Sequence, residues 1–518
     1  MILGPRKKIQ KTTIMKKRYT SCLFAATVFA LVACTGVKVP EQYTTDNKLP
    51  AIYPDYVDVT IPVNIAPLAF EMDHQAEEMV ARFSCGDAEF VWGGESVQPD
   101  EEEWKEMVVQ SKGKEITVEV YANNDGQWTK YQPFHITVSN DSIDPYISYR
   151  LISPSYVAYE ELTINQRCLE DYVESVIYDN MLCSKEDTGQ CINCHNYQQY
   201  DPARMQFHAR QRKGGTVIAY DGKLSKVNMK NDSILSAGVY PAWHPWLPLI
   251  VYSTNRTEQV FHTKDHNKIE VYDAASDIIS YNLDTNEVTN LENDPEEFEV
   301  FPAWAPDGKT LYYCSAHFEF PDTTEHSFQV IHRAKEVKYN LFKKDFDPET
   351  KQFGPRQMVL KADSMGMSAT LPRVSPDGRF LMFTMGGYGV FHIWHRDADL
   401  WLLDLKNGEL RNMEEINSDN TESYHSWSSN GRWVVFSSRR DDGGYTRPFI
   451  AHIDENGKGS KPFELPQASP DYHRQFLKSY NIPEFMKGPV TIKPQTFADV
   501  LKTEGTTVKY KPAKAKGE

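Results

Sequence analysis

Apolar and polar positions alternate with a two-residue period over several stretches of the chain, and strands with one buried face are what that period predicts. Val57, Val59, Ile61, Val63 and Ile65 alternate with Asp58, Thr60, Pro62 and Asn64. Ile116, Val118 and Val120 alternate with Thr117 and Glu119, and Phe134, Ile136 and Val138 alternate with His135 and Thr137. Between 141 and 213 the pattern changes. There Leu162, Leu169, Val173 and Ile177 recur at seven- and four-residue intervals, which predicts one or two short helices.

The strands in 53–140 lie between Gly-, Asn- and Asp-rich turns and predict a small N-terminal β-sandwich of immunoglobulin-like (Ig-like) size. The acidic run from Asp100 to Glu103 reads as a solvated loop or a helix start. Further on, a two-part motif recurs: PAWHPWLPLIVYSTN from Pro241, FPAWAPDGKTLYYCSA from Phe301, LPRVSPDGRFLMFTM from Leu371 and YHSWSSNGRWVVFSSRR from Tyr424. Each copy has a tight turn followed by an apolar strand. Pro sets the first turn angle, Asp or Asn bonds back to the local backbone, and Gly takes the exit conformation. Trp243, Trp304 and Trp427 read as packing residues between neighbouring sheets.

These four copies resemble the repeats of the TolB β-propeller and of related WD-like propellers. The resemblance covers roughly 214–470 and implies a propeller of six blades, with five as the alternative, the first opened by GTVIAYDGKLSKVN at 215–228. It implies no particular function, since propellers serve as binding platforms, enzymes and scaffolds. Tyr480-Asn481-Ile482-Pro483 and the Lys-rich finish (Lys509, Lys511, Lys514, Lys516) read as a docked extension and a disordered tail over 471–518.

Composition narrows the function class. A formal charge of −16 across 518 residues argues against nucleic acid, which needs Lys and Arg gathered on one face. The start decides the compartment. Met15-Lys16-Lys17-Arg18 is a positive n-region, Cys22 to Ala33 an apolar run too short to span a bilayer, and Leu31-Val32-Ala33-Cys34 its end. This end resembles the lipobox of bacterial lipoproteins, which implies a signal peptide over 1–33 (with Met15 as the start), lipidation of Cys34, a tether over 34–52 and a place in the cell envelope, on the outer membrane facing the periplasm.

In such a compartment Cys191-Ile192-Asn193-Cys194-His195 stands out. Two thiols three apart, followed by an imidazole, match the attachment site of a c-type haem, whose vinyl groups take the thiols and whose iron takes the histidine. His195 is then the proximal ligand, with His208 or Met205 as the distal candidate and Arg204, Arg210 and Arg212 as partners for the propionates. A Cys191–Cys194 disulfide and a zinc ion held with Cys183 are the alternatives, and zinc lacks a complete four-ligand set. Cys168 and Cys183 read as a possible brace for this segment, and Cys85 and Cys314 as buried thiols. The histidine pairs His262/His266, His392/His395 and His326/His332 read as ordinary surface pairs in propeller loops or at strand edges.

With YRLISPSYVAYEELTINQRCLEDY before it and MQFHAR after it, the segment resembles the monohaem lipoproteins with TolB-like propellers of Bacteroidetes. That resemblance implies a helical haem module between sandwich and propeller, and electron transfer or redox-linked partner binding as the function. A non-redox, protein-binding envelope scaffold with a structural Cys pair is the alternative. No nucleophile elbow, zincin helix, phosphate loop or dinucleotide fingerprint is present.

Overall fold

In the computed structural model the described residues are 36–74, 76–153, 161–185, 188–320 and 325–512. The signal segment, Cys34, Lys514 and Lys516 lie outside them. From Val37 onward the chain is one compact unit. It is mainly β, and no helix among the described residues is long and apolar enough to cross a membrane.

Most of the chain forms four-stranded antiparallel runs, each led by one innermost strand. These leaders are β1 (Gln190–Tyr197), β2 (Val239–Trp243), β3 (Glu297–Trp304), β4 (Ser368–Val374), β5 (Glu422–Trp427) and β6 (Ser479–Met486). The runs led by β1, β4, β5 and β6 are separate sheets. Those led by β2 and β3 share a nine-stranded sheet, joined only where Ser276 pairs in parallel with Phe298. Each leader touches the next, from β1 through β6 and back to β1, so the leaders close a ring. This is a propeller-like arrangement.

One backbone device repeats in every leader. Cys194, Tyr240, Phe301, Leu371, Tyr424 and Ile482 all have φ between 47° and 57°. The ladder register slips at each of these places. A bulky residue at positive φ is otherwise rare, and a bulge is the device that bends a strand and turns the next side chain. The residue that follows is His195, Pro241, Pro302, Pro372, His425 and Pro483 in turn. Proline fits because the slipped ladder requires no N–H there.

The turns after β3, β4 and β5 behave as their sequences predict. Gly308, Gly378 and Gly431 take φ of 58° to 75°, and the Asp307, Asp377 and Asn430 side chains accept from the backbone N–H two residues on.

Several expectations are corrected. Among its described residues the segment 141–213 is mainly strand, with a single helical turn at Asn180–Leu182. Tyr146–Ile152, Leu162–Cys168 and Glu174–Asp179 are strands, and β6 from the far end of the chain completes their sheet as its innermost member. Leu162–Cys168 is buried along nearly its whole length, with Gln166 bonded to Ser175 and to Val490 O and Arg167 to Gln467. A strand covered on both faces loses its alternation, and the surviving apolar spacing imitated a helix. The Tyr480–Pro483 stretch is likewise part of the ring rather than an added extension.

The N-terminal region is not a sandwich of two comparable sheets. It is one seven-stranded sheet, with only a two-stranded ladder (Ile52–Tyr53 with Glu71–Met72) beside it. Helix α1 (Glu101–Gln110) covers the sheet with Trp104, Met107 and Val108. Asp100 caps α1 by accepting from the N–H groups of Glu102 and Glu103, so the acidic run is a helix start. The layer a second sheet would supply comes partly from the propeller wall, since Trp433, Val435, Ile450 and Phe463 belong to the same core.

Past the ring, α2 (Pro494–Lys502) buries Phe497, Ala498 and Leu501 against the strands led by β1 and β6. Thr506–Thr507 and Lys509–Tyr510 then add in parallel to the outer edges of the β1 and β2 runs, so the tail is ordered at least that far.

Candidate functional site

The Cys-x-x-Cys-His segment occupies β1, inside the ring rather than on a connector. Cys194 takes the positive-φ place and His195 the place of the repeated proline, so Cys194-His195-Asn196-Tyr197 corresponds to Tyr240-Pro241-Ala242-Trp243. Within the motif Cys191 alone is left unexplained by this repeat.

The bulge sends the two site residues in different directions. Cys194 is buried beside the backbone of Tyr240, near Tyr252 and Tyr424, and burial raises its thiol pKa. His195 is 1% exposed and lies against the backbone of Ser148 and Ile482 on the β6 side, with the Tyr197 ring 6.4 Å away. Burial first and the Arg150 charge next hold its pKa down to about 3. Neither of its ring nitrogens makes a hydrogen bond.

Arg150 ties this corner of the ring together. It is buried, donating from Nη1 to Ile192 O at 3.0 Å and from Nη2 to Asn481 Oδ1 at 2.9 Å. Three strands meet at that guanidinium.

The other sequence candidates separate. Met205 is fully buried with Phe207, Ala209, Leu162 and Tyr178 in a core cluster. His208 pairs across from Asn193, on the opposite face from Met205, and its Nδ1 lies 3.0 Å from Thr216 Oγ1. Burial lowers its pKa to about 3. Of the three arginines, Arg204 pairs with Asp221 at 3.1 Å and Arg212 donates to Cys183 O at 2.7 Å, while Arg210 is exposed and contributes charge near Cys194 and His208. Cys85, Cys168, Cys183, Cys191, Cys194 and Cys314 are free thiols. His392 and His395 are not a surface pair but buried, with His395 Nε2 2.9 Å from the buried Glu270 Oε2 and the His392 ring 5.3 Å away. Among the described residues no group of three or more His, Cys, Asp or Glu is placed to hold a metal ion.

A c-type haem needs both sulfurs and the proximal imidazole around one macrocycle. Here Cys194 faces the β2 side and His195 the β6 side, so the residues as arranged do not fit that group.

A second feature lies on the ring axis, one that sequence reasoning did not single out. One mouth holds a cavity of about 150 Å³ whose wall takes residues from all six leaders. Glu484 is its hub: Arg373 Nη2 donates to Oε1 at 2.8 Å, Asn196 Nδ2 to Oε1 at 3.2 Å and Ser426 Oγ to Oε2 at 3.1 Å. Around it Trp243 and Trp304 keep their buried Nε1–H groups without a partner, while Trp427 Nε1 donates to Arg373 O. The repeats carried the signal, because each of the six leaders supplies the two wall residues that directly follow its repeated Pro or His.

The positive-φ residues are covered differently. Phe391, Ile393 and Trp394 from the loop around the short helical turn His392–Trp394 pack on Tyr240, Leu371, Tyr424 and Ile482.

No protein-family model matches the sequence, and no curated protein matches it. Solved structures resemble it at low identity. TolB from Acinetobacter baumannii is 14% identical, over 75% of this chain and 85% of that one, with a TM-score of 0.41. A Synechocystis apocarotenoid oxygenase mutant is 11% identical over 83% and 95%, with a TM-score of 0.36. An oligogalacturonate lyase in complex with manganese is 13% identical over 66% and 86%, with a TM-score of 0.30. The propeller assignment rests on the registers and the ring of contacts, not on these likenesses.

Proposed function

We propose that the chain is an exported, lipid-anchored propeller of six blades that docks an extended segment of an envelope protein at the open mouth of its axis. The six four-stranded runs are the six blades, two of them sharing a sheet through one parallel pair. The observation that carries the reading is the set of unmet donors at the mouth. Glu484 is occupied by three internal donors, whereas the buried indole N–H groups of Trp243 and Trp304 stay without a partner in the same wall, beside the one-third-exposed Arg373. Carbonyls or carboxylates of a peptide complement such a surface, and unmet buried donors are costly enough to favour it. The lipoprotein-like start supplies the anchor. Photo-crosslinking from the mouth in intact envelopes tests this: a protein adduct formed by the wild type and lost in Arg373→Glu is expected, and equal adducts from both overturn it.

A second reading, a covalent c-type haem serving electron transfer or redox-linked partner binding, is favoured by the fully buried His195 imidazole with two unpartnered nitrogens. It requires β1 to leave the ring so that Cys191, Cys194 and His195 converge. The two readings are therefore exclusive in this geometry, and one spectrum separates them. A Soret band that survives acid-acetone extraction and vanishes in Cys191→Ser/Cys194→Ser establishes the haem. Colourless, periplasmically matured protein with free thiols excludes it.

A further inference from the structure

A cleft of about 820 Å³ lies where the N-terminal region meets the outer part of the β5 run, far larger than the cavity at the mouth. One wall is the segment Leu49–Val57; the facing wall carries Asp441, Asp442, Arg447, His473 and Arg474. Its charges are unequally used. Arg447 donates to the carbonyls of Lys478, His473 and Phe476. Arg474 bridges to Glu71 and Asp73 and covers the Tyr53 ring. Lys461 donates to Val57 O and pairs with Asp55. Every lining cation is thus occupied within the protein.

The carboxylates are not. Asp55 and Asp73 have these partners, and Asp442 accepts from the N–H groups of Gly444 and Tyr445. Asp441 is exposed into the cleft and has no hydrogen bond or ion pair among the described residues. Behind it Glu464 is 3% exposed, bonded to His473 Nδ1, with Tyr480 OH 3.1 Å from His473 Nε2. Of these two carboxyl groups, Glu464 is held in a fixed chain behind the wall and Asp441 alone opens to the cleft.

We infer that this cleft binds a ligand carrying an ammonium or guanidinium group, with Asp441 as its counter-charge. A neutral or anionic ligand finds no free cation in the wall, whereas a cation completes the one charge left unpaired. The class has two sources, a lysine or arginine side chain of a peptide and a free polyamine, and the volume admits either.

Proton linkage supports the reading. Recession at the wall and the nearby Glu464 raise the Asp441 pKa to about 7, with Arg440 and His473 acting against it and Asp442 with it. Glu464 itself is raised to about 8, mainly by burial. A bound cation draws Asp441 into its ionised form and releases a proton. Arg447, Arg474, Lys461, Asp55 and Asp73 on the surrounding walls are engaged within the protein.

Calorimetry on the full-length chain, in two buffers of different ionisation enthalpy, tests this with the peptide Ala-Lys-Ala, with spermidine and with a neutral trisaccharide. Binding of a cationic probe with proton release, weakening about tenfold per pH unit below 7, is the expected result. The tighter of the two cationic probes assigns the source. Asp441→Asn, checked for a normal melting curve, should weaken binding at least tenfold and abolish the proton release, and Asp441→Glu should keep both. Preference for the trisaccharide, no binding of either cation, or undiminished binding by Asp441→Asn overturns the inference.

Discussion

His195 and His425 hold the same place in two innermost strands, each following a residue at positive φ, and they have opposite fates. His425 Nε2 donates to Met382 O at 3.1 Å, whereas His195 bonds to nothing. Both are buried, and burial holds both near a pKa of about 3. The bulge therefore accepts an imidazole as packing, and an imidazole after a cysteine at this place is not by itself a metal ligand. What sets β1 apart is Arg150 at the ring seam and the extra Cys191.

The largest test breaks the seam. Arg150→Met removes two charge-assisted hydrogen bonds that join three strands, and urea unfolding should show a loss of about 3 kcal/mol. A negligible loss would mean that β1 does not sit in the ring, as the haem reading requires.

Acid comes next. A histidine whose folded pKa is lowered binds its proton in the unfolded state first, so stability is full above the unfolded value of about 6.5 and is lost as pH falls toward about 3. Each such histidine steepens the loss by about 1.4 kcal/mol per pH unit. His195→Pro and His425→Pro should each remove one such increment from the slope measured near pH 5. An unchanged slope in His195→Pro would show that the imidazole is not buried neutral.

At neutral pH the pair should diverge by a smaller amount. His425→Pro forfeits a buried hydrogen bond and should cost about 1 kcal/mol, while His195→Pro matches four sister strands, loses no side-chain bond and should change stability by less than about 0.5 kcal/mol. Melting curves of the two variants decide this, and equal costs would dissolve the contrast.

The propeller was legible where the repeat kept its Pro-Asp-Gly turn, because the turn, the tryptophan and the apolar strand all point to one architecture. It was illegible in β1 and β6. Cys194-His195-Asn196-Tyr197 and Ile482-Pro483-Glu484-Phe485 keep only the bulge half of the motif, and without the turn the chemistry of a thiol pair outweighed the pattern. The strands at 146–179 were hidden for a different reason, since burial on both faces erased their alternation. The wall of the mouth was present in the repeats all along, but nothing in one dimension says that six separated positions face a common axis. The cleft beside Asp441 joins residues some 390 apart in sequence, Tyr53 and Asp441 among them, and no local pattern encodes it.

The sheet completed by β6 also imposes an order in time. Tyr146–Ile152 leaves the ribosome early, yet the strand that lies against it on the axis, Ser479–Met486, is made more than three hundred residues later. Until then the ring stands open with an unpaired edge along Tyr146–Ile152. Closure is thus a late event that reports on a finished chain, and a polypeptide cut short before Ser479 should remain an open, sticky arc that the cell can recognise and destroy.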